Sequence, residues 1–176
     1  MVDEIITLVD KHNTVIGSAP RQKINFGIDY HRATYILVFT QDNHLIVQKR
    51  SKSKSFCPSY YGIATGGIVA KGESYLLSAQ RELEEELGIH LELSCHGAFL
   101  TEGDNFRIWG KLYSCYYDEA LHGPLVLQAS EVESVHIMST EHILQQMNTV
   151  SFTPDTVDAF MHYVEKSISV HPNDPL

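Results

Sequence analysis

The chain has 176 residues, 43% of them hydrophobic, which is the size and composition of one ordinary globular domain rather than of a disordered or membrane protein. Acidic residues outnumber basic ones 22 to 13, for a formal charge of −9; this excludes a generic nucleic-acid binder and, one local cluster of glutamates aside, reads as solubility.

In chain order, the β-rich runs 4–9 and 14–17 flank Asp10-Lys11-His12-Asn13, which predicts a hairpin. Runs 33–40 and 45–49 bracket Gln41-Asp42-Asn43-His44 and predict a second one, with a strongly apolar first strand. Residues 51–58 are polar, lysine-bearing and end in proline, as expected of a loop before a strand at 60–65 and the paired glycines Gly66 and Gly67. The main helix follows, with Ser74 as N-cap and Gly88 at its C-terminal stop. Strands are expected at 94–100 and 107–117, a polar turn at 118–123, and helices at 139–147 and 154–167. Val157, Phe160, Met161, Val164 and Ile168 make one apolar stripe on the last helix, expected to pack in the core. This order predicts a single domain over residues 1–170, a mixed sheet sandwiched between helices, and a mobile tail at 171–176.

Cys57, Cys95 and Cys115 lack the paired spacing of a zinc or redox motif and read as reduced, buried thiols. The N-terminus lacks a basic segment followed by an apolar one, and no apolar run approaches the roughly 20 residues of a membrane helix. The expected setting is the cytoplasm, with no membrane partner.

On the main helix Leu76, Leu83 and Leu87 fall on one side and Glu82, Glu85 and Glu86 on another. Like charges three and four residues apart, near the C-terminal end of a helix, cost a few tenths of a kcal/mol each at an exposed site. A solvated acidic face would tolerate that. A site for a hard divalent cation would use it, because Mg²⁺ takes oxygen ligands and is often held by few carboxylates plus substrate phosphates.

The wider pattern decides between these. Residues 67–89 read GIVAKGESYLLSAQRELEEELGI and resemble a complete Nudix box: Gly, five residues, Glu, seven residues, then Arg-Glu-apolar-any-Glu-Glu-any-Gly-apolar. Gly67, Glu73, Arg81, Glu82, Leu83, Glu85, Glu86, Gly88 and Ile89 fill every fixed place. A chance match in a chain of this length is rarer than about one in a million. The resemblance implies an α/β/α sandwich with a mixed sheet, and magnesium- or manganese-dependent hydrolysis of a nucleoside diphosphate derivative or related organic diphosphate. By position it implies Glu82, Glu85 and Glu86 as metal ligands, the Gly66 carbonyl as a further ligand, and Arg81 paired with Glu73 in support of the loop. An ordinary surface salt bridge is the alternative for Arg81. For the general base, Glu131 is the favoured residue outside the box, with Glu133, Glu85 and Glu82 open.

His31-Arg32-Ala33-Thr34 and Leu45-Ile46-Val47-Gln48-Lys49-Arg50 are similar to the branch of that family containing isopentenyl-diphosphate isomerase, and to the YfcD-type group within it. The isomerases carry a cysteine and a metal-binding histidine in the region where this chain reads Gly62 to Val69 without either, so isomerisation is the lesser alternative. His31 matches a metal-ligand position of the isomerases but is expected to be structural. Lys49, Arg50, Lys52 and Lys54 would meet substrate phosphates or line a solvated loop. Trp109, with Phe106 and Tyr113, is expected in the core rather than against a base. A non-catalytic nucleotide-binding module is the competing class, opposed by the intact glutamates. The expected partner is a small diphosphate, with a homodimer left open.

Overall fold

A computed structural model describes residues 4–170, so the expectation of a mobile tail lies outside the described residues. The first hairpin forms from β1 (Ile5–Val9) and β2 (Val15–Pro20), followed by a 3-10 turn at Arg21–Lys23. Next come β3 (Tyr30–Thr40) and β4 (Leu45–Arg50), the short β5 (Tyr61–Gly62) and α1 (Tyr75–Leu87). After α1 run β6 (Ser94–Gly103) and β7 (Phe106–Tyr117), the single turn α2 (Glu119–His122), β8 (Val132–Met138), α3 (Thr140–Gln146) and α4 (Pro154–Val170).

The second hairpin departs from expectation in a way that builds the site. β3 and β4 pair only at Phe39 and Leu45, next to their turn, and then part. β3 instead runs parallel to β7 from His31 opposite Ile108 to Thr40 opposite Tyr117, while β4 runs antiparallel to β8. The sheet is therefore mixed, as expected, and eight-stranded. Backbone polar groups of β3 freed by the parting are satisfied by residues 65–69: Ile36 N donates to the Thr65 carbonyl (2.7 Å), Thr34 N to that of Gly67 (2.9 Å), and Val69 N to that of Arg32 (2.9 Å). The glycine loop is thus held inside the sheet.

Alternation along β3 divides the core between the two faces of the sheet. Tyr35, Leu37 and Phe39 pack with Phe160 and Val164 of α4 and Ile143 of α3, whereas Ile36 and Val38 pack with Ala79, Leu83 and Leu87 of α1. One face is covered by α1 and the other by α3 and α4, which is the α/β/α sandwich. Phe160, Val157, Met161 and Val164 join that core, but Ile168, near the end of α4, is 49% exposed. Two local expectations are also corrected: residues 119–122 form a helical turn capped by Asp118, and 132–138 form a strand that was not foreseen. Of the thiols, Cys115 is buried, Cys57 partly so, and Cys95 exposed on β6, which pairs only with β7 and so forms an edge. No helix among the described residues is long and apolar enough to cross a membrane.

Candidate active site

The helix α1 begins where Ser74 Oγ accepts the Leu77 N–H (3.2 Å) and ends at Gly88, whose φ of 69° is the left-handed C-terminal conformation. Its buried stripe is Ser78, Ala79, Leu83, Glu86 and Leu87. Leu76, in the first turn of the helix, is 44% exposed instead of packed. Glu86 takes the opposite correction: it sits on the packed side, 6% exposed.

Gly66 and Gly67 lie against β3 and α1 at distances that exclude a side chain. A Cβ on Gly66, whose φ is +149°, would fall 2.0 Å from the Thr34 carbonyl oxygen, and one on Gly67 would fall 2.4 Å from Glu82 Oε1. Arg81 ties the loop to the helix. Its Nε and Nη2 donate to the two Glu73 oxygens at 2.8 and 3.1 Å, and its Nη1 to Glu82 at 2.7 Å and Glu85 at 3.1 Å. Glu73 also accepts the Ala70 N–H at 3.1 Å, and the Arg81 guanidinium holds its carboxyl below the usual carboxylate range.

A cavity of about 690 Å³ opens where β3 and β4 part. Glu82, Glu85, Glu86, Arg81, Gly66 and Gly67 line it on the side of α1, together with Glu131 and Lys54, which form an ion pair. Burial raises the pKa of Glu82, and pushes that of Glu86 up to about 7, with the Glu82 charge adding to it. Gln48, whose Nε2 donates to Thr65 Oγ1 (2.7 Å), acts to lower the Glu86 pKa, yet Glu86 Oε2 is buried without a partner.

Of the basic residues expected at phosphates, Arg50 and Lys54 line the cavity and Lys49 does not. Successive strand residues face opposite ways, so Gln48 and Arg50 point into the cavity while Lys49 pairs with Glu133 at 2.8 Å, outside the cavity lining. That pairing takes Glu133 away from the site as well. His31 lines the cavity, 2% exposed and edge-on to Phe26, and burial lowers its pKa to about 4, so it is neutral. Phe106 lines the cavity and Tyr113 is in the core; Trp109 is partly buried outside the cavity lining.

Sequence reasoning passed over Gln48, Tyr35 and Asp155. Gln48 had a signal, a lone amide within the apolar run of β4. Asp155 resembled an ordinary acidic residue in a first helical turn.

Among the described residues no three His, Cys, Asp or Glu side chains converge as a ready metal cage; Arg81 Nη1 bridges Glu82 and Glu85 instead. The donor set still fits a hard divalent ion. A buried carboxylate with an unpartnered oxygen, Glu86, and the partly buried Glu82 one turn before it form a like-charged pair that a cation relieves, and Mg²⁺ takes few protein carboxylates.

The NUDIX domain family pattern matches residues 29–160. The chain is 39% identical over 167 residues to an uncharacterized Nudix hydrolase of Yersinia pestis, covering 94% of this chain and 88% of that protein. It is 37% identical over 165 residues to the uncharacterized Nudix hydrolase YfcD of Escherichia coli, with 93% and 88% covered. The crystal structure of DR0079 from Deinococcus radiodurans shares the fold, with a TM-score of 0.77 at 20% identity over 90% of this chain and 98% of that one.

Proposed function

The chain belongs to the NUDIX domain family, as a Nudix hydrolase, and we propose that it cleaves a diphosphate linkage in a nucleoside diphosphate derivative or related organic diphosphate, by attack of water on phosphorus with Mg²⁺ or Mn²⁺ bound. The observation that carries this reading is the buried Glu86, with its unpartnered oxygen, beside the partly buried Glu82, facing a cavity that also presents Arg81, Lys54 and Arg50.

Glu82, Glu85 and Glu86 would hold the metal, with the Gly66 carbonyl beside them. When bound, the metal neutralises phosphate oxygens and lowers the pKa of the attacking water. Gln48, anchored on Thr65, would orient the Glu86 carboxylate, as a group orienting a ligand does. Arg81 holds the loop and helix in one geometry through Glu73. Lys54 and Arg50 offer positive charge to the diphosphate. Glu131 is the base that takes the proton from water, and its ion pair with Lys54 keeps it at the cavity wall. The alternative use of this frame as a non-catalytic nucleotide sensor gives no role to the buried carboxylates. The isomerase reading has no cysteine or histidine at residues 62–69 to work with.

The test is product release from nucleotide sugars, dinucleoside polyphosphates, nucleoside triphosphates and coenzymes, with Mg²⁺ or Mn²⁺ and with chelator. Metal-dependent cleavage of at least one is expected, with Glu131→Gln lowering kcat by about 10²-fold or more. Binding without cleavage across the panel would favour the sensor.

A further inference from the structure

The function proposed above gives Lys54 two roles that compete for one ammonium: cation for the diphosphate and ion-pair partner of Glu131. The bonds around the pair separate what is fixed from what can exchange. Glu131 stands on a tight turn in which its own N–H and that of Val132 both donate to the Gln128 carbonyl at 2.8 Å. Gln128 N donates in turn to the Glu86 carbonyl, in the last turn of α1, at 3.2 Å. From the other side, Ser51 N donates to the Glu131 carbonyl at 2.9 Å, and Ser53 Oγ meets Ser51 Oγ at 2.8 Å and donates to the Ser130 carbonyl at 3.2 Å. The backbone under Glu131 is therefore clasped between α1 and the segment that follows β4.

The side chains are held far less firmly. Among the described residues Glu131 is the one ion-pair partner of Lys54, and the two side chains are 21% exposed at Lys54 and 31% at Glu131. An ion pair this open to water contributes little net stability, so a diphosphate, with more than one negative charge, competes well for the ammonium. Lys54 also stands close enough to Glu82 and Glu86 for its charge to act on both carboxyls, lowering their pKa values. Its flexible stem thus already reaches the part of the cavity that Arg50, Arg81 and the α1 glutamates line.

We propose that Lys54 is a positioning residue that works as a substrate-operated latch: it holds the Glu131 carboxylate until a diphosphate draws its ammonium away, which leaves Glu131 free to take the proton from water. The latch rests on the diphosphate reading above and adds an order of events to it. No covalent bond forms or breaks and no proton moves in the exchange; one ionic contact replaces another. Because the backbone clasp stays closed, the released carboxylate remains beside the α1 glutamates. Water then meets an unoccupied acceptor only when a phosphorus is there to be attacked.

The latch predicts that Glu131→Gln, which loses turnover, gains affinity. Binding of methylenediphosphonate, an uncleavable diphosphate, is measured by titration calorimetry with Mg²⁺ present for the full chain, Glu131→Gln, Lys54→Met and the double variant, each verified as folded. Glu131→Gln is expected to bind this probe about two- to fivefold tighter, because Lys54 no longer has to be drawn off a carboxylate. That gain is expected to vanish in the Lys54→Met background and to persist in a Lys54→Arg one. An equal gain with and without Lys54 reduces Glu131 to simple charge repulsion and overturns the latch. Unchanged or weaker binding by Glu131→Gln overturns it as well, since the ammonium then serves both anions at once or neither. In the unmodified protein the ¹³Cε NMR signal of Lys54, assigned by its loss in Lys54→Arg, is expected to shift as the probe saturates; a stationary signal overturns the latch with no variant at Glu131 needed. Failure of the probe to bind any of these proteins overturns the diphosphate reading together with the latch, whereas the other negative outcomes leave that reading standing.

Discussion

At the scale of single residues, two glycines and one glutamate define the site. A Cβ on Gly67 would collide with the Glu82 carboxylate, a movable group, whereas one on Gly66 would collide with the Thr34 carbonyl in a left-handed backbone. Gly67→Ala is therefore expected to lower turnover at least about tenfold with little change in melting temperature, by moving a ligand. Gly66→Ala is expected to destabilise the fold by about 1–3 kcal/mol in denaturant titration, through strain and clash together. Glu86 couples stability to pH. Its carboxyl titrates near 4.5 when unfolded and near 7 in the fold, so between those values the folded chain binds the extra proton. Stability of the metal-free protein then falls as pH rises through this window, by about 3 kcal/mol in full. Glu86→Gln removes the dependence and should raise the melting temperature of the metal-free protein at pH 8. The box residues were legible because their spacing is a pattern in one dimension. The burial of Glu86 was not, because helical periodicity alone groups it with its charged neighbours.

At the scale of elements, α1 was readable from both ends. Ser74 and Gly88 carry local chemistry, a side-chain acceptor and a left-handed residue, that needs no tertiary context. Ser74→Ala should cost about 1 kcal/mol of stability, measured by chemical denaturation, with the metal site retained. The strands were harder. Asn43 adopts a positive φ of 57° at the turn before β4, so the hairpin turn was legible, but the parting of β3 from β4 was not. That parting depends on β7 and β8 arriving from more than sixty residues away. The strand β8 itself lacks clean alternation, with Val132 and Val135 three apart and a register shift opposite Lys49 and Arg50. Lys49 shows the same limit: a one-residue choice of strand face decides between phosphate and Glu133.

At the scale of the whole molecule, the sheet splits so that one cavity touches both helical layers, the metal-type carboxylates of α1 on one side and Asp155 of α4 on the other. The fold class was legible from the order of strands and helices, and the cavity was not, since it is the space left by the long-range pairing. His31 lines it as a neutral group. With a pKa near 4 in the fold against 6.5 unfolded, its contribution to stability is fully present above pH 6.5 and is lost as pH falls toward 4. His31→Phe should flatten the loss of melting temperature between pH 6.5 and 4, provided the ring packs against Phe26 as the imidazole does. We propose that the α1 carboxylates make this cavity the site of a metal-dependent diphosphate hydrolase. The most direct measurement is kcat with saturating Mg²⁺ on the best-cleaved diphosphate, for the unmodified protein and for Glu86→Gln, each verified as folded. A fall of at least about 10²-fold is expected in the variant; equal turnover would exclude Glu86 as a metal ligand.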